Sequence, residues 1–241
     1  MNILGHPFLA CKVVGRIDWR LIAGSHLPDL VPFVPGSVFS FEEIHESGDR
    51  FLKFLDKNYP EKRDLALGMM THSVKFGADR FNREIEQWLL GNDERARGEL
   101  VKKITACSGV VRIHNYLWAG LDVYLLKKHF QTVKKIAKVH SEIDQKEIAD
   151  LLVAWSGKDR SEVKRMIDYF FTPLRPPLFT SLPGLVEIWK GALAGLPEKD
   201  EVDEEKTILL FEEIYKDYQG EWGAILEKVT NKVKENLAVF V

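Results

Sequence analysis

Seven histidines fall along a chain of 241 residues, and several have an aspartate at a spacing that suits a shared helical face. His45 and Asp49 stand at i, i+4, and His72 and Asp79 at i, i+7, so each pair lies one or two turns apart on one side of a helix. His114 and Asp122 stand at i, i+8, a rotation of about 80° that leaves them at the edge of one face. His26 and Asp29 lie close together in "SHLPDL", and His6 precedes the first helical pattern. Imidazole and carboxylate together are an ordinary ligand set for zinc and other divalent ions. Facing helices of a bundle are a common place to assemble such a set.

Spacing alone leaves plainer roles open. His72 also suits a hydrogen-bonded core histidine, His45 with Asp49 an exposed helix pair, and Asp29 a turn after Pro28. His26 fits a loop histidine as well as a ligand. His129 and His140, flanked by lysines and acidic residues, read as surface residues, while Tyr116 and Trp118 read as core.

The elements that must position these side chains are helical. Apolar residues recur at helical spacing through most of the chain, and no stretch alternates as a strand does. The expected fold class is all-α, a bundle of about eight helices. Leu65–Trp88 reads as one helix carrying both His72 and Asp79, and Glu99–Val139 as another long apolar run. Ser40 with Glu43, Asp144 with Glu147 and Asp159 with Glu162 have the spacing of N-terminal capping boxes. Residues 1–155 read as a helical metal-binding core. Residues 156–241 read as a helical extension, either separate or part of the same domain, with the proline-rich stretch 172–184 as the hinge. Residues 196–206 read as a charged linker or helix start.

Composition excludes several classes. The net charge is −2, which lacks the basic excess of a nucleic-acid binder. Cys11 and Cys107 alone cannot build a disulfide framework or a cysteine-rich zinc site. No run of about eighteen apolar residues exists to span a membrane. The first sixteen residues make a poor signal peptide, so a cytoplasmic location is expected.

The order of the motifs adds to their types. "ILGHPFLA", "IAGSHLPDLVPF", "FEEIHESGDRFLKFLDKNYP", "LALGMMTHSVKFGADRF" and "IHNYLWAGLDVYLL" follow one another over roughly residues 1–155. In this order they resemble the zinc-dependent phospholipase C family, above all the N-terminal catalytic domain of glycosylphosphatidylinositol-specific phospholipase D. The resemblance implies an all-helical bundle with one to three zinc ions in a cleft. Carried over, His6, Asp29, His45, His72, His114 and Asp122 would be metal ligands. The chain departs from that pattern at two places: Phe76 and Trp118 stand where the family places acids four residues after the histidines of the two helices.

The expected activity is hydrolysis of a small phosphoester, a phosphodiester above all, by a metal-activated water. Asp29 would bridge two ions or act as the base on that water, and Arg175 would clamp the phosphate, since guanidinium pairs bidentately with phosphate. A soluble nucleotide or phospholipid-like metabolite suits an intracellular protein better than a membrane lipid. The sequence leaves a homo-oligomer open. The absence of any adjacent His-Asp pair counts against the helical His-Asp phosphohydrolases. The alternative is a non-catalytic helical binding or scaffold protein with a degenerate metal site, which Phe76 and Trp118 favour.

Overall fold

A computed structural model describes residues 3–194, 196 and 201–241. Among them are fourteen α-helices and no strand. In chain order these are α1 (Gly5–Val14), α2 (Trp19–His26), α3 (Leu30–Phe33), α4 (Gly48–Asn58), α5 (Asp64–His72), α6 (Asn82–Leu90) and α7 (Glu94–Ser108). They continue with α8 (Ile113–Lys128), α9 (Phe130–His140), α10 (Gln145–Ser156), α11 (Arg160–Phe171), α12 (Leu182–Leu193), α13 (Glu204–Asp217) and α14 (Trp222–Leu237). The all-α class read from periodicity is the one observed. Part of the charged stretch 196–206 lies outside the described residues, and α13 begins at Glu204.

Fourteen helices replace the expected eight because single residues stop runs that periodicity joins. Glu99–Val139 contains three helices: Gly109, at φ 72°, ends α7 in the left-handed conformation that favours glycine, and His129 turns the chain between α8 and α9. Leu65–Trp88 breaks after His72, where Ser73 leaves the helical region at ψ 157°. The caps are where residue type puts them. Asp18, Asp93, Asp144, Asp159 and Asp203 each accept a backbone N–H at the start of a helix.

Close helix contact fixes the frame of the molecule. α2 and α5 cross with backbone against backbone: a Cβ on Gly24 would collide with the carbonyl oxygen of Leu65, and one on Gly68 with that of Leu21. That crossing brings the end of α5, where His72 lies, beside the end of α2. α13 packs along α8, and α14 lies against α1. The 155/156 boundary falls in the last turn of α10, which packs against α11. No helix among the described residues is long and apolar enough to cross a membrane.

Candidate metal centre

Short irregular pieces between the helices supply most of the site. α1 carries His6 in its first turn. α2 runs into a 3-10 turn, Leu27–Asp29, whose last residue is Asp29. The capping box forms as its spacing predicts: Glu43 Oε2 accepts the Ser40 N–H at 2.7 Å, and Ser40 Oγ accepts the Glu43 N–H at 3.2 Å. It opens a π-helical turn, Glu42–Glu46, which carries His45. Such turns are rare and recur at functional sites. His72 ends α5, and Asp79 lies in the 3-10 turn Ala78–Phe81.

These five side chains meet at one cleft of about 130 Å³. His114 and Trp118, from the start of α8, complete its lining together with Arg112, Asn115 and Asn82. His72 Nδ1 donates to the carbonyl of Ser25 at 2.7 Å. A carbonyl only accepts, so this bond orients the ring and turns Nε2 toward Asp79, in the way a backbone carbonyl commonly orients a metal-binding histidine. Nε2 lies 3.4 Å from Asp79 Oδ2, which is 3.9 Å from His45 Nδ1. The His6 and His72 rings stack at 3.5 Å. Ligand atoms of His6, Asp29 and His72 lie within 4.8 Å of one another, and so do those of His45, His72 and Asp79.

Burial sets the charge of each group. It holds His6 well below its ordinary value, assisted by the charge of His72. It pushes His45 down to about 4 and lowers His114 as well. Burial likewise raises the Asp29 carboxyl. His72 and Asp79 are the exception. Burial opposes charge on both, but their mutual attraction outweighs it, raising His72 and holding Asp79 well below the usual carboxylate range.

His6 Nδ1, His45 Nδ1 and Asp29 Oδ2 are buried with no hydrogen-bond partner among the described residues. Each such orphan costs about 1–3 kcal/mol, and three converging on one cleft need an explanation. A divalent cation supplies one: the donors are imidazole nitrogen and carboxylate oxygen, the set zinc prefers. The residues present therefore fit a metal ion.

Several expectations need correction. His72 and Asp79 do not share a helix; the chain folds back after His72 and returns Asp79 to it through space. Ser73 Oγ accepts the Phe76 N–H, the Gly77 N–H bonds to the Ser73 carbonyl, and a Cβ on Gly77 would strike the Thr71 carbonyl. Asp122 is not at the cleft. Its two oxygens accept the backbone N–H groups of Ile3, Leu4 and Gly5 at 2.9–3.1 Å. Burial pushes its carboxyl up to about 7 against those three donors. Asp49 pairs with Lys75 rather than with His45. Arg175 is exposed and paired with Glu187, away from the cleft.

His140, read as a surface residue, is buried against Phe179 with Nε2 unpartnered. His26 points toward it rather than into the cleft, their ring centroids 5.7 Å apart. Of the two residues at acid positions, Phe76 packs on Phe240. Trp118 does line the cleft, its Nε1 donating to Asn82 Oδ1 at 2.7 Å. Arg112, Asn82 and Asn115 were missed. The only signal for Arg112 is its place two residues before His114, at the mouth of a helix.

Fold and site together define an all-helical protein with a buried histidine–aspartate cluster at a surface cleft. No family model, curated protein or solved structure matches the chain.

Proposed function

We propose that the chain is a metal-dependent phosphoester hydrolase of the zinc-dependent phospholipase C type that its motifs resemble. One observation carries this reading: five of the six residues picked by the motif order, His6, Asp29, His45, His72 and His114, line a single cleft from five separate segments, and Asp79 joins them there in place of Asp122. The resemblance favours zinc as the metal and a diester as the substrate. His6, Asp29 and His72 form one ligand group, and His45, His72 and Asp79 another. With Nδ1 bonded to Ser25, His72 can offer only Nε2 to a cation, once its proton is displaced, and completes only one group at a time, which favours one or two ions over three.

A bound divalent ion would lower the pKa of water from 15.7 to about 7 and neutralise phosphoryl oxygens. The chain's own residues prepare for that. His6 and His45 are kept neutral by burial, so neither must lose a proton to bind a cation. Asp29 turns an unpartnered oxygen to the cleft and is the group to take a proton from the attacking water. Ser25 holds the His72 ring in place through its carbonyl.

The test is metal analysis of protein purified without a histidine tag, with hydrolysis of bis-p-nitrophenyl phosphate as the second readout. Bound metal is expected, together with turnover that falls at least about 100-fold in Asp29→Ala and in His72→Ala. No metal after refolding with zinc and manganese, or equal rates in the variants, would remove the reading. Trp118 in the cleft, at a position where the resemblance expects an acid, favours a second reading, a non-catalytic metal-binding protein. Bound metal with no turnover would select it.

A further inference from the structure

The wall of the cleft made by the start of α8 carries donors that belong to neither ligand group. Arg112 lines it, half-buried, and no carboxylate lies within ion-pair distance of its guanidinium among the described residues. Its guanidinium carbon sits 5.9 Å from the centre of the Phe33 ring, which also lines the cleft. Asn115 is 5% exposed and lines the same wall, with no hydrogen bond from its side-chain amide among the described residues. No side chain caps α8. The Arg112 carbonyl accepts the N–H of Asn115 at 3.0 Å and of Tyr116 at 3.4 Å. The N–H groups of Ile113 and His114 then have no acceptor among the described residues.

An unpaired guanidinium, an amide without a partner and the open N–H of His114, at the positive end of a 16-residue helix, therefore belong to residues that line one small space. All of these groups donate and none has an acceptor among the described residues, and an oxyanion is the ligand that supplies acceptors to them. We propose that Arg112, Asn115 and the start of α8 form an oxyanion subsite for the phosphoryl group of a small phosphate ester, with Arg112 pairing bidentately to it. The choice of phosphate over another oxyanion rests on the hydrolase reading above; the subsite itself does not.

Size limits what enters. The cleft is small, about 130 Å³. A phosphoryl head suits such a space, and the rest of a larger ester would extend toward solvent, where the exposed Phe41 lines the cleft. Charge sets the condition for binding. Asp29 and Asp79 line the same cleft and repel a bare anion, so a cation beside them strengthens the subsite.

The experiment is equilibrium dialysis with radiolabelled inorganic phosphate, on zinc-loaded and on EDTA-treated full-length protein. Arg112→Gln is expected to weaken phosphate binding at least about tenfold in both states. Arg112→Lys should weaken it less, because it keeps the charge but loses the planar fork. Arg175→Gln, at an exposed arginine outside the cleft, should match wild type, and circular dichroism should report the same helix content for all. Wild type without saturable phosphate binding, or Arg112→Gln within about threefold of wild type, would overturn the proposal. The two readings separate cleanly. Protein that holds no metal and hydrolyses nothing would lose the hydrolase reading, while Arg112-dependent phosphate binding after EDTA would stand. Metal-dependent hydrolysis with unaltered phosphate binding in Arg112→Gln would sink the subsite alone.

Discussion

At the scale of the residue, Asp122 anchors the start of the chain. Its carboxylate gathers the N–H groups of Ile3, Leu4 and Gly5 at the beginning of α1. Asp122→Ala removes the acceptor of the Ile3 and Leu4 N–H groups, at about 1–3 kcal/mol each. The expected outcome in urea unfolding is a loss of about 3 kcal/mol or more, with Asp122→Asn milder because it keeps one acceptor oxygen. His6 follows Gly5 directly, so bound metal should fall in the same variant. A second prediction concerns His140. Burial pushes it down to about 4, and burial also lowers His26 beside it. The folded state then binds fewer protons than the unfolded state between pH 6.5 and 4. Stability is full above the unfolded value and is lost as the pH falls through that window. His140→Leu should remove up to about 3 kcal/mol of that loss. An unchanged slope of unfolding free energy against pH would exclude His140 as its source. Residue type was legible at this scale: His6, Asp29, His45, His72, Asp79 and His114 all reach the cleft. Arg112 was not, because an arginine gains meaning only from what does or does not pair with it in space.

At the scale of the element, the site depends on where helices stop and how closely two of them approach. Capping boxes and glycine stops are local chemistry, so the starts at Asp144 and Asp159 and the stop at Gly157 could be read directly. The break after His72 could not, since Leu65–Trp88 keeps helical periodicity through the turn and only the Ser73–Gly77 backbone interrupts it. The i, i+7 spacing thus pointed to the right pair for the wrong reason. The contact of α2 with α5 was equally hidden, because a glycine in a helix carries no signal of its partner. Gly68→Ala forces the two backbones apart and should lower unfolding free energy by about 3 kcal/mol, with loss of metal, since His72 stands one turn further on. Gly98→Ala is the contrast. Gly98 lies inside α7 with open space where a Cβ would go. The substitution should stabilise by about 0.5–1 kcal/mol. Equal effects at the two glycines would contradict the close approach of α2 and α5.

At the scale of the whole molecule, the candidate ligands come from segments spread from His6 to His114, and the end of the chain braces one of them. Asn236 Nδ2 donates to the Phe76 carbonyl at 2.9 Å, the Phe240 ring packs on Phe76, and Arg63 donates to the Phe240 carbonyl. α14 therefore supports the turn that presents Asp79. A cation held by such a set links α1, α2, the π-helical turn and α5, so its binding is coupled to the folding of the bundle. A ligand at 1,000 times its dissociation constant stabilises the folded state by about 4 kcal/mol. For a chain of 150–250 residues each kcal/mol moves Tm by about 2–4 °C. Zinc should therefore raise Tm by roughly 8–16 °C over the EDTA-treated protein. In His72→Ala, which removes the side chain common to both ligand groups, zinc should no longer raise Tm over that variant's own EDTA-treated baseline, which itself falls with loss of the buried His72–Asp79 pair. A zinc-induced rise of the same size in His72→Ala would place the ion elsewhere, and no rise in wild type would leave His6, His45 and Asp29 buried without the cation that their free atoms call for.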